Sequence, residues 1–178
     1  MPLPSLAPPP SDRPRLGRRR LLALPLVLAT APLLTACTGA PPELHGRLIV
    51  LRHADRFGAM LSAEGRARAA RLPEALADLQ IDAIYTTPRQ RNIDTATPLA
   101  QARGLMVKTL LAPGAGKRLL GTYPGKTIVW VGNQENLPLL YAELGVSAKP
   151  PVQYGEIQIL TFPEGGGPPA LEKRRYGG

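Results

Sequence analysis

Three short apolar runs, each ending in a polar cluster, constrain this 178-residue chain more than any other feature. They are RLIVLRH (47–53), DAIYT (82–86) and TIVWVGN (127–133). Runs of this length with no polar alternation read as strands covered on both faces. Between them lie segments with helical spacing. In LSAEGRARAARLPEALADL (61–79), Ala69, Leu72, Leu76 and Leu79 share one face, Ser62 is placed to cap, and Pro73 should bend the helix. After the second strand, Thr87 can cap a helix, Pro88 suits its first position and Gln90 completes a capping box. That helix runs to about Ala102, with Pro98 kinking it and Gly104 beyond its end. LMVKT (105–109) reads as a further strand, and LAPGAGKRLLGTYPGK (111–126) as a loop with one short helical turn. Asn136 is placed to cap a helix through Leu144, terminated by Gly145. EIQILTF (156–162) is β-like, and ALEKRRY (170–176) suits a final strand at a sheet edge. Strands alternating with helices predict an α/β three-layer sandwich: a mostly parallel sheet with helices on both faces.

The N-terminus reads as an address. RPRLGRRR precedes a largely apolar stretch of sixteen residues, Leu21 to Ala36, which includes Pro25 and Pro32. That is short for a spanning helix and fits a bacterial export signal. Arg18-Arg19-Arg20-Leu21-Leu22 also resembles a twin-arginine signal. LTAC (34–37) resembles the lipobox of bacterial lipoproteins, which implies lipidation of Cys37, the only cysteine. The expected organisation is an export signal (1–36), a lipidated cysteine and tether (37–45), and a folded domain (46–178), held to the cell envelope outside the cytoplasmic membrane.

The net charge of +9 is unevenly spread. Five arginines and one acid in residues 1–37 give +4; the other 17 bases and 12 acids give +5. That surplus suits an anionic small molecule. No basic run is interleaved with aromatics, so nucleic acid is not an expected partner.

In open parallel sheets, ligands bind beyond the carboxyl ends of the strands. Three segments end there: Arg52-His53-Ala54-Asp55, Thr86-Thr87-Pro88-Arg89-Gln90-Arg91 and Gly132-Asn133-Gln134-Glu135. Arginines with forked donors clamp phosphate, and a helix N-terminus favours an anion. A histidine beside them can accept a phosphoryl group on a ring nitrogen. No His/Cys/carboxylate cluster has ligand spacing and no nucleotide-binding glycine loop is present, so neither metal nor cofactor is expected.

These motifs resemble, in order, those of the histidine phosphatase (phosphoglycerate mutase-like) superfamily, in its small bacterial members. LRHAD resembles the Arg-His-Gly/Ala signature, and LSAEGRARAARLPEAL the Leu-Ser/Thr, Gly, Ala segment of the first helix. AIYTTPRQRNIDTATPLA is similar to the Ile-Tyr-Ser-Ser-Pro-x-x-Arg-x-x-x-Thr-Ala block, and TIVWVGNQENLP to Val-Gly-His and its polar loop. YGEIQIL and RRYG are like the ends of the small members. The resemblance covers about residues 46–177. It implies that Arg52 and Arg91 bind phosphoryl oxygens, with Thr87 and Asn133 completing the pocket, and that His53 attacks phosphorus. Phosphate esters, phosphoramidates or phosphohistidine are then the expected partners. Asn133 stands where the family has a second histidine. An amide can donate a hydrogen bond there but cannot carry charge, so hydrolysis should be weakened. The alternative is an anion-binding lipoprotein without catalysis. The general acid is open between Asp55 and Glu135, because residues 95–126 contain no acid. His45 lies at the far end of a strand spanning about 23 Å and reads as an exposed tether residue.

Overall fold

The computed structural model describes residues 44–178. The expected export signal, Cys37 and most of the expected tether lie outside these residues. Among the described residues, no helix is long and apolar enough to cross a membrane.

The central strand is β1 (Gly46–Arg52), the first of the apolar runs. It pairs parallel with β6 (Thr127–Gly132) and antiparallel with β7 (Glu156–Phe162). β6 continues parallel to β4 (Ala83–Thr86), and β4 to β5 (Val107–Thr109). β8 (Ala170–Arg175) pairs antiparallel with β7 and closes the sheet, whose order is β5-β4-β6-β1-β7-β8. β8 lies at an edge, as its sequence suggests, and its exposed charges discourage pairing with another chain.

Successive β-strand side chains point to opposite faces. Ile49, Leu51, Val129 and Val131 therefore face one layer, with α2 (Leu72–Ala75) and α3 (Gln90–Arg103), and α1 (Ala63–Ala70) packs against α3. Leu48, Val50, Ile128 and Trp130 face the other, with α4 (Ala115–Thr122) and α5 (Leu137–Glu143). The buried centres of β1 (Leu48 to Leu51) and β6 (Ile128 to Val131) are apolar throughout because both faces are covered.

Several local expectations are corrected. Pro73 does more than bend its helix. It lacks an N–H and its ring collides with the preceding turn, so the segment splits into α1 and α2. Ser62 caps α1 as expected, its hydroxyl accepting from the Gly65 N–H at 3.1 Å. Thr87 does not cap α3. The helix starts at Gln90 with Arg89 at its cap position, and Gln90 donates to Asp94 instead of closing a box. Asn136 occupies the cap position of α5 but turns its oxygen back to the Asn133 N–H at 2.9 Å. The 111–126 segment holds an eight-residue helix, α4, whose Leu119 and Leu120 enter the core. A hairpin of β2 (Arg56–Phe57) and β3 (Met60–Leu61) was not legible. His45 is half-buried, and its carbonyl accepts from the Gly125 N–H, so it belongs to the folded domain.

Candidate active site

The ladder register sets the site. Arg52 lies opposite Gly132 across β1 and β6, and Thr86 opposite Val131 across β4 and β6. The three carboxyl ends therefore stop at one level, and the next residues, His53, Thr87 and Asn133, meet. The His53 N–H extends the ladder by one bond, to the Gly132 carbonyl at 3.0 Å.

His53 is 1% exposed. Its Nδ1 lies 2.8 Å from the Ala54 carbonyl oxygen. A carbonyl can only accept, so Nδ1 carries the proton and Nε2 keeps the lone pair. The ring's pKa is pushed down to about 4. Burial is the largest cause; the Ala54 bond opposes it, and the charges of Arg91, Arg52 and Arg56 add to it. At neutral pH the imidazole is therefore uncharged.

Arg52 is held by a residue that the sequence did not single out. Its Nη1 donates to the Val152 carbonyl at 2.7 Å and its Nη2 to the Tyr154 hydroxyl at 3.2 Å. The guanidinium also lies 4.3 Å from the Tyr154 ring centroid, a cation–π distance, and that ring is 5.9 Å from the His53 ring. Tyr154 reaches the site from the loop before β7, a hundred residues from Arg52. Tyr154 opens the YGEIQIL segment, whose resemblance names no role for it, so nothing in the sequence ties it to Arg52.

Arg91 enters from the first turn of α3 and donates to Asn133 Oδ1 at 3.3 Å. Asn133, 2% exposed, donates through Nδ2 to Thr87 Oγ1 at 3.2 Å. Thr87 Oγ1 also accepts from Asn92 Nδ2 at 2.7 Å. Two incoming donors leave the Thr87 hydroxyl proton for another acceptor. Thr95 joins two corners: it accepts from the Ala54 N–H at 3.0 Å and donates to the Arg91 carbonyl at 2.7 Å.

The two acids differ in placement. Asp55 turns away to Arg68, with a carboxylate–guanidinium contact of 2.6 Å. Burial raises its pKa, but the Arg68 hydrogen bond and charge outweigh this and hold it below the usual range. Glu135 is exposed at the site's edge. Its own backbone bond is the largest cause that holds it low; burial opposes this, and the charges of Arg89 and Arg91 add to it. Both are ionised at neutral pH.

The close approach of α1 to this loop explains one glycine. A Cβ on Gly65 would lie 2.0 Å from the Asp55 carbonyl oxygen.

Residues 48–127 match the family model of the histidine phosphatase superfamily, branch 1. The matched span holds Arg52, His53, Thr87 and Arg91 and ends before Asn133. No curated protein matches the sequence. Among solved structures, YhfR of Bacillus stearothermophilus is similar with a TM-score of 0.60 at 18% identity, over 71% of this chain and 96% of its own. A mycobacterial glucosyl-3-phosphoglycerate phosphatase with inorganic phosphate gives 0.53 at 17% identity, over 75% and 97%. The protein histidine phosphatase SixA, complexed with tungstate, gives 0.58 at 15%, over 72% and 96%. At these identities the likeness is one of fold.

Proposed function

We propose that this chain belongs to the histidine phosphatase superfamily, whose family model matches residues 48–127, and hydrolyses a phosphate ester or phosphoramidate through a phosphohistidine on His53. The observation that carries the reading is the state of His53: an uncharged ring, proton fixed on Nδ1, lone pair on Nε2, between Arg52 and Arg91.

In the first step Nε2 attacks phosphorus, the bond from phosphorus to the leaving atom breaks, and the leaving group departs with that electron pair. Arg52 and Arg91 offset the charge on the equatorial oxygens. The Thr87 hydroxyl has a proton to give to one of them. In the second step water attacks phosphorus, the P–N bond breaks, and phosphate leaves with Nε2 free again.

Protonating the leaving group is the weak point. Asp55 is spent on Arg68, and Glu135 is an ionised carboxylate. Leaving groups that depart without an acid, such as a phosphorylated imidazole, an anhydride or an activated aryl alcohol, suit this site best.

A second reading is favoured by one observation. The Asn133 amide is committed to Arg91 and Thr87 and cannot carry charge or relay a proton. A pocket built this way could hold phosphate without turning it over. Turnover of p-nitrophenyl phosphate that disappears in His53→Ala supports the enzyme. Absence of turnover, with phosphate or vanadate still raising the melting temperature, supports the binder. Export and anchoring through a lipid on Cys37 belong to the same proposal and rest on the sequence. Cys37→Ala should move the protein from the membrane fraction to the soluble one.

A further inference from the structure

A cleft of about 350 Å³ opens directly off the phosphate corner. Its inner end is Thr87 and Asn133, the buried pair that closes the site. Its walls include Leu111, from the loop after β5, and Leu139, from α5. These leucines are 69% and 62% exposed. A lone exposed leucine is ordinary, but two lining one cleft beside an anion pocket are not. Leu139 is not spent on the core. Leu137, Leu140 and Tyr141 form the inward stripe of α5, and Leu139 falls off it. The charged side chains on the lining are Arg89 and Glu135, one of each sign. The cleft therefore offers no net charge to a second ionised group on a ligand.

Resting on the phosphate-pocket reading above, we infer that this cleft receives the leaving portion of the substrate and that this portion is apolar. The substrate class is a phosphoryl group carried on an apolar body whose leaving atom departs without an acid, an aryl alcohol above all. The phosphoryl group sits at His53, Arg52 and Arg91, and its substituent passes Thr87 to lie against Leu111 and Leu139. A small sugar phosphate or glycerol phosphate would place hydroxyls against the two leucines and lose their hydration without return.

The test uses the full chain and a series of phosphonates with methyl, butyl and hexyl substituents, whose P–C bond is not cleaved. Binding is read by calorimetry. Affinity should rise about two- to fourfold for each added methylene until the cleft is filled. A Leu111→Ser/Leu139→Ser double variant should flatten that rise and leave methylphosphonate affinity unchanged. Both positions are exposed, so the fold should survive, and an unchanged melting temperature checks this. Methylphosphonate binding with no gain along the series overturns the subsite and leaves the phosphate pocket standing. A gain that persists in the double variant also overturns it. If no phosphonate binds, methyl included, the pocket reading fails and the subsite falls with it.

Discussion

Arg91 can only donate hydrogen bonds, so the amide it touches must turn its oxygen toward it. That fixes Asn133: Oδ1 to Arg91, Nδ2 to Thr87. The sequence showed an amide where the family it resembles has a histidine. It suggested a neutral donor aimed at the phosphoryl group. In the fold the amide is a brace that holds one arginine and one hydroxyl. Asn133→His should restore a positive charge at this corner and raise kcat on p-nitrophenyl phosphate about tenfold or more. An unchanged or lower kcat would show that the brace matters more than the charge. Tyr154 poses the complementary case, a positioning residue for Arg52. Tyr154→Phe keeps the ring under the guanidinium and loses the 3.2 Å bond, so KM should rise severalfold with kcat little changed. Tyr154→Leu loses both and should raise KM further. Arg52, His53, Thr87, Arg91 and Asn133 were legible because strand ends and a helix start announce them. Tyr154 was not, because only folding brings residue 154 beside residue 52.

Elements were legible where one signal dominated. Apolar runs announced β1, β4 and β6, alternation announced β7, and the Ser62 cap announced α1. They were misread where two signals competed. Thr87, Pro88 and Gln90 have the composition of a helix start, yet the Thr87 hydroxyl serves the site and the helix begins three residues later. The two prolines and four glycines of 111–126 masked α4, which tertiary packing of Leu119 and Leu120 stabilises. The contact of α1 with the loop after His53 allows a direct test. Gly65→Ala would push a methyl into the Asp55 carbonyl, forcing helix and loop apart. Overpacking of this kind costs about 1–3 kcal/mol. Urea denaturation should show that loss, and anion affinity should fall with it because the loop carries His53. A fully stable Gly65→Ala protein would contradict the contact.

At the scale of the whole molecule, the site is held at a cost that pH reveals. The folded pKa of His53 is about 4, below the unfolded value near 6.5. The unfolded chain binds this proton first, so the contribution is full above pH 6.5 and is lost as pH falls toward 4. The shift corresponds to about 3 kcal/mol. Asp55, held low mainly by Arg68 against its burial, adds a loss at lower pH with the same sign. Unfolding free energy measured in urea between pH 7 and pH 4 should fall steeply, and His53→Gln should flatten the fall. The topology was readable from the alternation of elements, and with it the end of the sheet where chemistry belongs. The long-range contacts that tune the site, Arg68 to the C-terminal carbonyls and Tyr154 to Arg52, required the fold.

The central claim is that His53 Nε2 carries the phosphoryl group between two steps. Mixing the protein with a phosphoryl donor, quenching in alkali and mapping the peptides by mass spectrometry tests it directly. The account predicts one added phosphoryl group on His53, absent in His53→Ala along with turnover. Turnover that survives in His53→Ala would contradict it.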